Sequence, residues 1–364
     1  VFLSMYFLFQ RTEEIALFIR NCWYVAAWSH ELIDDILLGR TLLNEKVLLY
    51  RSADNQVHAI EDRCCHRGAL LSRGRLEGSC VRCMYHGLLF DAEGKCVEVP
   101  GQERIPPDLK VRSYKVVDKA KLVWIWMGDP ALADESKIPS FPYLEDEDWH
   151  GYPDYLYYQA NYQLIADNLA DINHIAYVHT NTLGGSESYV KEQQQSPLEK
   201  FEDGFRLTKW HMNSSLPPFV RKIEKNIERV DRWNTAEMRV PGYFYLESGF
   251  SPEGAGIREG NKAGSLEFHN FQALTPETER TTHFFWVYLH NQKKNIENIS
   301  HSLHDSILEG FHEDKEIIED QQVVLDSDPG FKMRAIASDA PLAYLRWLVS
   351  KKIKEEETQD MKQA

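Results

Sequence analysis

The chain reads as an α+β protein of two domains, an all-β domain followed by one built on a large antiparallel sheet flanked by helices. Three observations predict this. Short strand-like runs crowd residues 23–129, long alternating strands fill residues 205–289, and helical periodicity brackets those long strands on both sides. In the first region Lys46–Tyr50, Val57–Ile60 and Leu122–Trp126 are rich in β-branched and aromatic residues, with Gly, Asp and Asn between them. A linker follows, marked by Gly128, Pro130, Pro139, Pro142 and the acidic run Glu145 to Asp148. The expected divisions are an extension over 1–22, the all-β domain over 23–135 and the second domain over 136–364.

In the second domain a helix is expected over about Gln163 to His179. Strands follow at Phe205–Trp210, Ala236–Leu246, Leu266–Leu274 and Thr281–Leu289, then an amphipathic helix over about Ser302 to Val324. The charged tail from Lys351 to Ala364 is expected to fray or lie on the surface. There is no internal repeat and no low-complexity segment.

Composition sets the outer limits. At 364 residues, 43% hydrophobic and 12% aromatic, the chain can bury two real cores. A formal charge of −15 argues against nucleic acid and anionic membrane as partners. The six cysteines (22, 64, 65, 80, 83, 96) crowd one segment and do not space out as a disulfide framework, which fits metal-bound thiolates in a reducing cytoplasm. Val1 to Phe9 are strongly apolar, yet nine residues cannot span a bilayer and charges follow at once. No signal peptide is expected there. With Val1 first and Met5 close by, the start site stays open, and a membrane-contacting tail is a minor alternative.

The chemistry begins at Cys64-x-His66, sixteen intervening residues, then Cys83-x-x-His86. Two thiolates and two imidazoles at this spacing can close on metal. A structural zinc site usually groups its two Cys in one half and its two His in the other. Here each half is mixed, which suits a Rieske-type 2Fe-2S centre, with two Cys on one iron and two His on the other. Zinc remains the alternative.

A second site follows from helix geometry. On a continuous helix Asp167, Asp171, His174 and Val178 share one face. Two acids and an imidazole on a buried stripe are costly without a partner. His179 lies about 140° round from His174, so both reach one ion only if the helix ends or bulges between them. In the late helix Ile307, Phe311 and Ile318 mark the apolar stripe and Asp314 sits among them. Glu313 falls instead with Ser306 and Glu309, on what reads as a solvated face. Two His and one carboxylate form the facial triad of non-haem Fe(II) oxygenases. Surface polar residues, or a core Asp paired with Arg or Lys, are the plain alternatives.

Taken with the flanking text Cys64-Cys65-His66-Arg67-Gly68 and Cys83-Met84-Tyr85-His86-Gly87, these motifs resemble the oxygenase component of the Rieske non-haem iron oxygenases. The resemblance spans nearly the whole chain. The helix motif Asn168-x-x-Asp171-x-x-His174-x4-His179 and the text Thr275-Pro276-Glu277-Thr278-Glu279 look most like the vanillate demethylase-type branch. Two features depart from the usual pattern: Cys65 and Met84 stand where the family has Pro, and Leu88 where it has Trp. Cys65 adds a thiol that could misligate or oxidise.

The resemblance implies that each cluster loop is a β-hairpin tip, with Gly68 and Gly87 supplying the turns. It implies Cys64, His66, Cys83 and His86 as cluster ligands and His174, His179 and Asp314 as ligands of a mononuclear Fe(II). Asn168 would stand beside that iron, and Asp171 would bridge a cluster histidine of one subunit to an iron histidine of the next in a head-to-tail homotrimer. Electrons from NADH or NADPH would come through a ferredoxin or flavin reductase, with O2 as co-substrate and a small aromatic compound as substrate.

Candidate substrate contacts are His269, Asn270, His283, Trp286 and Arg239, each equally readable as a satisfied strand residue. The expected reaction is hydroxylation or demethylation. A ring cis-dihydroxylating dioxygenase and a non-catalytic electron carrier are the alternatives.

Overall fold

The computed structural model describes residues 18–33, 35–184, 190–191, 193–224 and 228–363, with side chains up to residue 359. The apolar stretch Val1 to Phe9 lies outside them. The chain divides into two compact units. One holds residues 18–141 together with Thr275–Glu279. The other holds Pro142–Leu274 and Arg280–Ala364.

The first unit is all β. Its strands are β1 (Trp23–Trp28), β2 (Leu37–Leu42), β3 (Glu45–Arg51), β4 (Val57–Glu61), β5 (Arg75–Glu77), β6 (Cys80–Arg82), β7 (Leu89–Phe90), β8 (Cys96–Glu98), β9 (Ser113–Lys119) and β10 (Leu122–Trp126). Six form a sheet in the order β1-β10-β9-β4-β3-β2, and the other four a sheet β5-β6-β7-β8. β1 and β10 are buried along their whole length, so they read as continuous apolar runs and not as an alternation.

Their indoles are anchored at the polar end. The Trp124 N–H donates to the Lys119 carbonyl at 3.0 Å, and the Trp126 N–H to that of Asp129 at 2.8 Å. The text Thr275 to Glu279 also has a job in this unit. The Thr275 hydroxyl donates to the Val25 carbonyl at 2.7 Å, and the Leu43 and Asn44 N–H groups donate to the carbonyls of Pro276 and Glu277 at 2.9 and 2.8 Å.

The second unit carries an eight-stranded antiparallel sheet: β11 (Pro153–Tyr158), β12 (Gln194–Gln195), β13 (Glu199–Lys200), β14 (Gly204–Ser215), β15 (Arg229–Arg239), β16 (Tyr243–Pro252), β17 (Leu266–Thr278) and β18 (Thr281–His290). The order is β11-β18-β17-β16-β15-β14-β12, with β13 also on β14. Its helices are α1 (Tyr162–Ala170), α2 (Ile175–Val178), α3 (Pro218–Arg221), α4 (Ile296–Ser327) and α5 (Ala340–Gln363). No described helix is long and apolar enough to cross a membrane.

α4 lies on one face of the sheet. Phe311 packs edge-on against Phe284 and Trp286, with ring centroids 5.1 and 5.0 Å apart. Because side chains alternate along a strand, that contact fixes which residues look inward.

One sequence expectation fails here. The helix expected over 163–179 breaks, since α1 ends at Ala170 and Asp171 to His174 form a turn. The cause is local: the Asp171 carboxylate accepts the Asn173 N–H at 3.0 Å, an Asx turn that competes with helical bonding. The charged tail lies on the surface, the second of its two expected outcomes, and does so as helix. α5 runs to Gln363, its buried stripe of Leu345, Val349 and Ile353 ends near the start of the tail, and residues 354–359 are exposed or half-buried.

Candidate metal centres

The first centre is made of two loops with one backbone design. In each, the Cys N–H donates to the carbonyl five residues on (Cys64 to Ala69 and Cys83 to Leu88, both 2.8 Å). The Cys carbonyl in turn accepts from the glycine four residues on, at 2.9 Å from Gly68 and 3.0 Å from Gly87. Those glycines have φ of 72° and 77°, where a side chain is strained. The second loop is a hairpin tip, because β6 pairs with β7. The first is not, contrary to expectation: it leaves β4 in the six-stranded sheet and leads into β5 in the other. What holds it is Asp62, whose carboxylate accepts the Ser72 N–H and hydroxyl at 2.6 and 2.7 Å. Arg82 does the same for the second loop, donating to the Gly87 carbonyl at 2.8 Å while paired with Glu77.

Cys64 and Cys83 are buried in a core with Leu48, Ile60, Val81 and Phe90, whereas His66 and His86 are exposed with rings 4.5 Å apart. Burial pushes the Cys64 thiol up to about 11, and neighbouring Cys83 adds to the rise. Two thiols buried side by side fit a bound cation, which takes both as thiolates. Cys65 is exposed.

The second centre draws on distant elements. His174 ends the turn after α1, His179 caps α2 and Asp314 sits in α4. Their ligand atoms lie within 4.8 Å of one another, a set that could hold a metal ion. Asp314 Oδ1 is 3.4 Å from His174 Nε2 and 3.1 Å from His179 Nε2, and it accepts the Asn168 amide at 3.0 Å. His179 Nε2 is buried without a hydrogen-bond partner among the described residues, and Asp314 is only 5% exposed. A buried carboxylate facing an orphaned imidazole nitrogen fits a cation between them. The outer nitrogens are held as well: His174 Nδ1 meets the Asp171 carbonyl, and His179 Nδ1 lies 2.6 Å from Glu313 Oε2.

Burial holds His174 below its ordinary range. It works against the charge of His179 too, but there the carboxylates of Asp314 and Glu313 outweigh it and raise the pKa.

Several sequence assignments move. Asp167, an acid on the stripe that needed a partner, finds it in Arg346 of α5 at 2.9 Å. Glu313, read as solvated, accepts from Thr182 at 2.7 Å as well as meeting His179. The missed signal was Ser306 and Gly310 on its side of α4, small residues that admit close neighbours: a Cβ on Gly310 would come within 3.3 Å of Leu183.

Of the substrate candidates, the register puts His269, His283 and Arg239 on the face away from α4. There His269 stacks on Tyr143 at 3.5 Å, His283 bonds the Tyr155 hydroxyl at 2.7 Å, and Arg239 pairs with Asp203 and Glu237. Asn270 and Trp286 face inward. Asp171, exposed in part, sits in the turn between Asn168 and His174, and Lys209 ties that turn to the sheet through Asn173 Oδ1 at 2.8 Å.

A two-loop Cys/His centre in an all-β unit, joined to a two-His, one-carboxylate centre on an antiparallel sheet, defines an iron oxygenase of the Rieske type. Comparison with known proteins carries this further. Residues 22–115 match the Rieske [2Fe-2S] domain, and residues 158–355 match the vanillate O-demethylase oxygenase C-terminal domain.

The iron-sulfur subunit of the toluene-4-sulfonate monooxygenase system of Comamonas testosteroni is 41% identical over 93% of this chain and 98% of that protein. The vanillate O-demethylase oxygenase subunit of a Pseudomonas species is 32% identical over 89% and 92%. Among solved structures, dicamba monooxygenase bound to 3,6-dichlorosalicylic acid superposes with a TM-score of 0.86 at 30% identity, covering 93% of this chain and 99% of that one. The chain belongs to the Rieske oxygenases with a vanillate O-demethylase-type C-terminal domain. It is an oxidoreductase, the oxygenase component of a multicomponent system, with a 2Fe-2S cluster and a mononuclear iron as cofactors and O2 as co-substrate.

Proposed function

We propose that this oxygenase inserts one oxygen atom of O2 into a methyl or methoxy carbon of a small aromatic compound. The observation that carries the reading is the buried His174, His179 and Asp314 set, which a pure electron carrier would not need. In this reading Cys64, His66, Cys83 and His86 hold the cluster, and His174, His179 and Asp314 hold the mononuclear iron. When bound, these centres supply single-electron transfer and oxygen activation.

The chain's own residues do the rest. Asn168 fixes the Asp314 carboxylate by its 3.0 Å bond, so the acid keeps one orientation. Glu313 and the Asp171 carbonyl fix the two imidazoles through their outer nitrogens, which sets which nitrogen is free for metal. Burial around Asp314 and His179 keeps water from competing for the ligand atoms. The Asp171 carboxylate, held in its turn by the Asn173 N–H, is assigned the bridge by which electrons arrive from the cluster of a neighbouring subunit. That role goes with a head-to-tail homotrimer.

The test is product analysis of methylated and methoxylated aromatics with a surrogate reductase. Formaldehyde or a hydroxylated side chain, coupled to NADH use, is the expected outcome, and a cis-diol would replace this reading by dihydroxylation. Asp171→Ala is expected to keep both metals while steady-state turnover falls by at least about 100-fold. Retained turnover in that variant removes the bridging assignment.

A further inference from the structure

Asn173 is a junction in the turn that carries Asp171. Its backbone N–H donates to the Asp171 carboxylate at 3.0 Å, while its side-chain oxygen accepts from Lys209 at 2.8 Å and from Gln193 at 3.0 Å. One residue thereby links a carboxylate to an ammonium.

Lys209 is the one buried lysine among the described residues, only 3% exposed. It stands on the inward face of β14 opposite Asn234, where the neighbouring strands β15 and β16 present no Asp or Glu. Burial pulls its pKa down to about 8, and the charge of Asp171 pulls the other way. A buried ammonium is costly without negative charge nearby. Here that charge comes from off the sheet, from the turn.

The need runs in the other direction as well. Asp171 is half-buried, and its second carboxylate oxygen accepts nothing from the described residues. On the bridging assignment a neighbouring subunit covers it and strips its water. A carboxylate so covered needs a cation in reach, and Lys209 is already in place.

We propose that Lys209 is the positioning residue and counter-charge of Asp171: through Asn173 it holds the carboxylate where electrons arrive, and its ammonium offsets the carboxylate's charge when a neighbouring subunit covers it. This rests on the bridging role assigned above and adds what the bridge depends on.

Three variants separate tether from charge. Lys209→Gln keeps an amide donor for Asn173 without the charge, Lys209→Met keeps neither, and Lys209→Arg keeps both. Hydrogen exchange at the Asn173 amide of the oxidised holoenzyme, read by mass spectrometry, needs no substrate. It is expected to quicken about 10-fold in Lys209→Met and in Asp171→Ala, and no further in the double variant, because both act through one contact. Electron arrival is read as single-turnover reoxidation of the prereduced cluster by O2, with the aromatic that gives product in the screen above. Lys209→Arg is expected within about 3-fold of wild type, Lys209→Gln about 10-fold slower and Lys209→Met about 10- to 100-fold slower. KM for the aromatic, iron content and the cluster spectrum should stay unchanged. Thermal melting checks that each variant is folded.

Additive exchange effects overturn the proposal, as does full-speed reoxidation in a folded Lys209→Met. Full speed in Lys209→Gln overturns it too, since the charge would then be idle. Loss of mononuclear iron from Lys209→Gln would move its role to His174, whose Nδ1 meets the Asp171 carbonyl, and would equally defeat it. If no aromatic gives product, the exchange cycle alone decides. Turnover that survives Asp171→Ala removes the bridge itself, and is told apart because the exchange cycle does not depend on it.

Discussion

The two candidate metal centres are built on opposite plans. The cluster site is local: four residues within one stretch of chain, carried on two loops that repeat the same pair of backbone hydrogen bonds. The mononuclear site is assembled from a turn, the end of a four-residue helix and the middle of a 32-residue helix more than a hundred residues away, and side chains hold it in place. A backbone-held site depends on turn residues, and its ligands stay where the loops put them. A side-chain-held site depends on partners such as Asn168 and Glu313 that bind no metal themselves. Substitutions should therefore fail in different ways at the two centres.

The largest effect is expected from Cys83→Ser. The cluster's visible spectrum should vanish with all turnover, while mononuclear iron binding in the other unit persists. Loss of both metals together would mean that the centres do not fold independently. Glu313→Gln comes next. It removes the charge against His179 Nδ1 and Thr182, and mononuclear iron affinity should drop about 10-fold with the cluster spectrum unchanged. An unchanged affinity would show that the outer hydrogen bond does not matter here.

The smallest effects separate the two loops. Gly87→Ala meets both a φ of 77° and Pro100 Cγ at 2.8 Å from the new Cβ, whereas Gly68→Ala meets only its φ of 72°. Gly87→Ala should cost about 1–3 kcal/mol in thermal stability and Gly68→Ala less, about 1 kcal/mol. Equal costs would deny the role of Pro100.

The same contrast explains what could be read in the sequence. The Rieske domain was legible because a local motif such as Cys64, His66, Cys83 and His86 leaves its spacing in the text. The antiparallel sheet was legible from its long strands, and Asp314 from an acid on an apolar stripe. Glu313 was not, because a helical wheel records angle and not what packs there. The break after Ala170 was missed because a short Asx turn at Asp171 overrides a helical pattern on either side of it. His269 and His283 were placed with Asn270 and Trp286 because sequence alternation tells the two faces of a strand apart without saying which one meets α4. That required Phe311 against Phe284 and Trp286.

The central claim is that one chain holds two separable iron centres, the second resting on His174, His179 and Asp314. Iron content and the reduced visible spectrum of Asp314→Ala test it most directly. The wild-type chain should hold roughly three irons and the variant roughly two, with the cluster spectrum intact and no oxygenated product. A variant that keeps its third iron, or still forms product, would contradict the account.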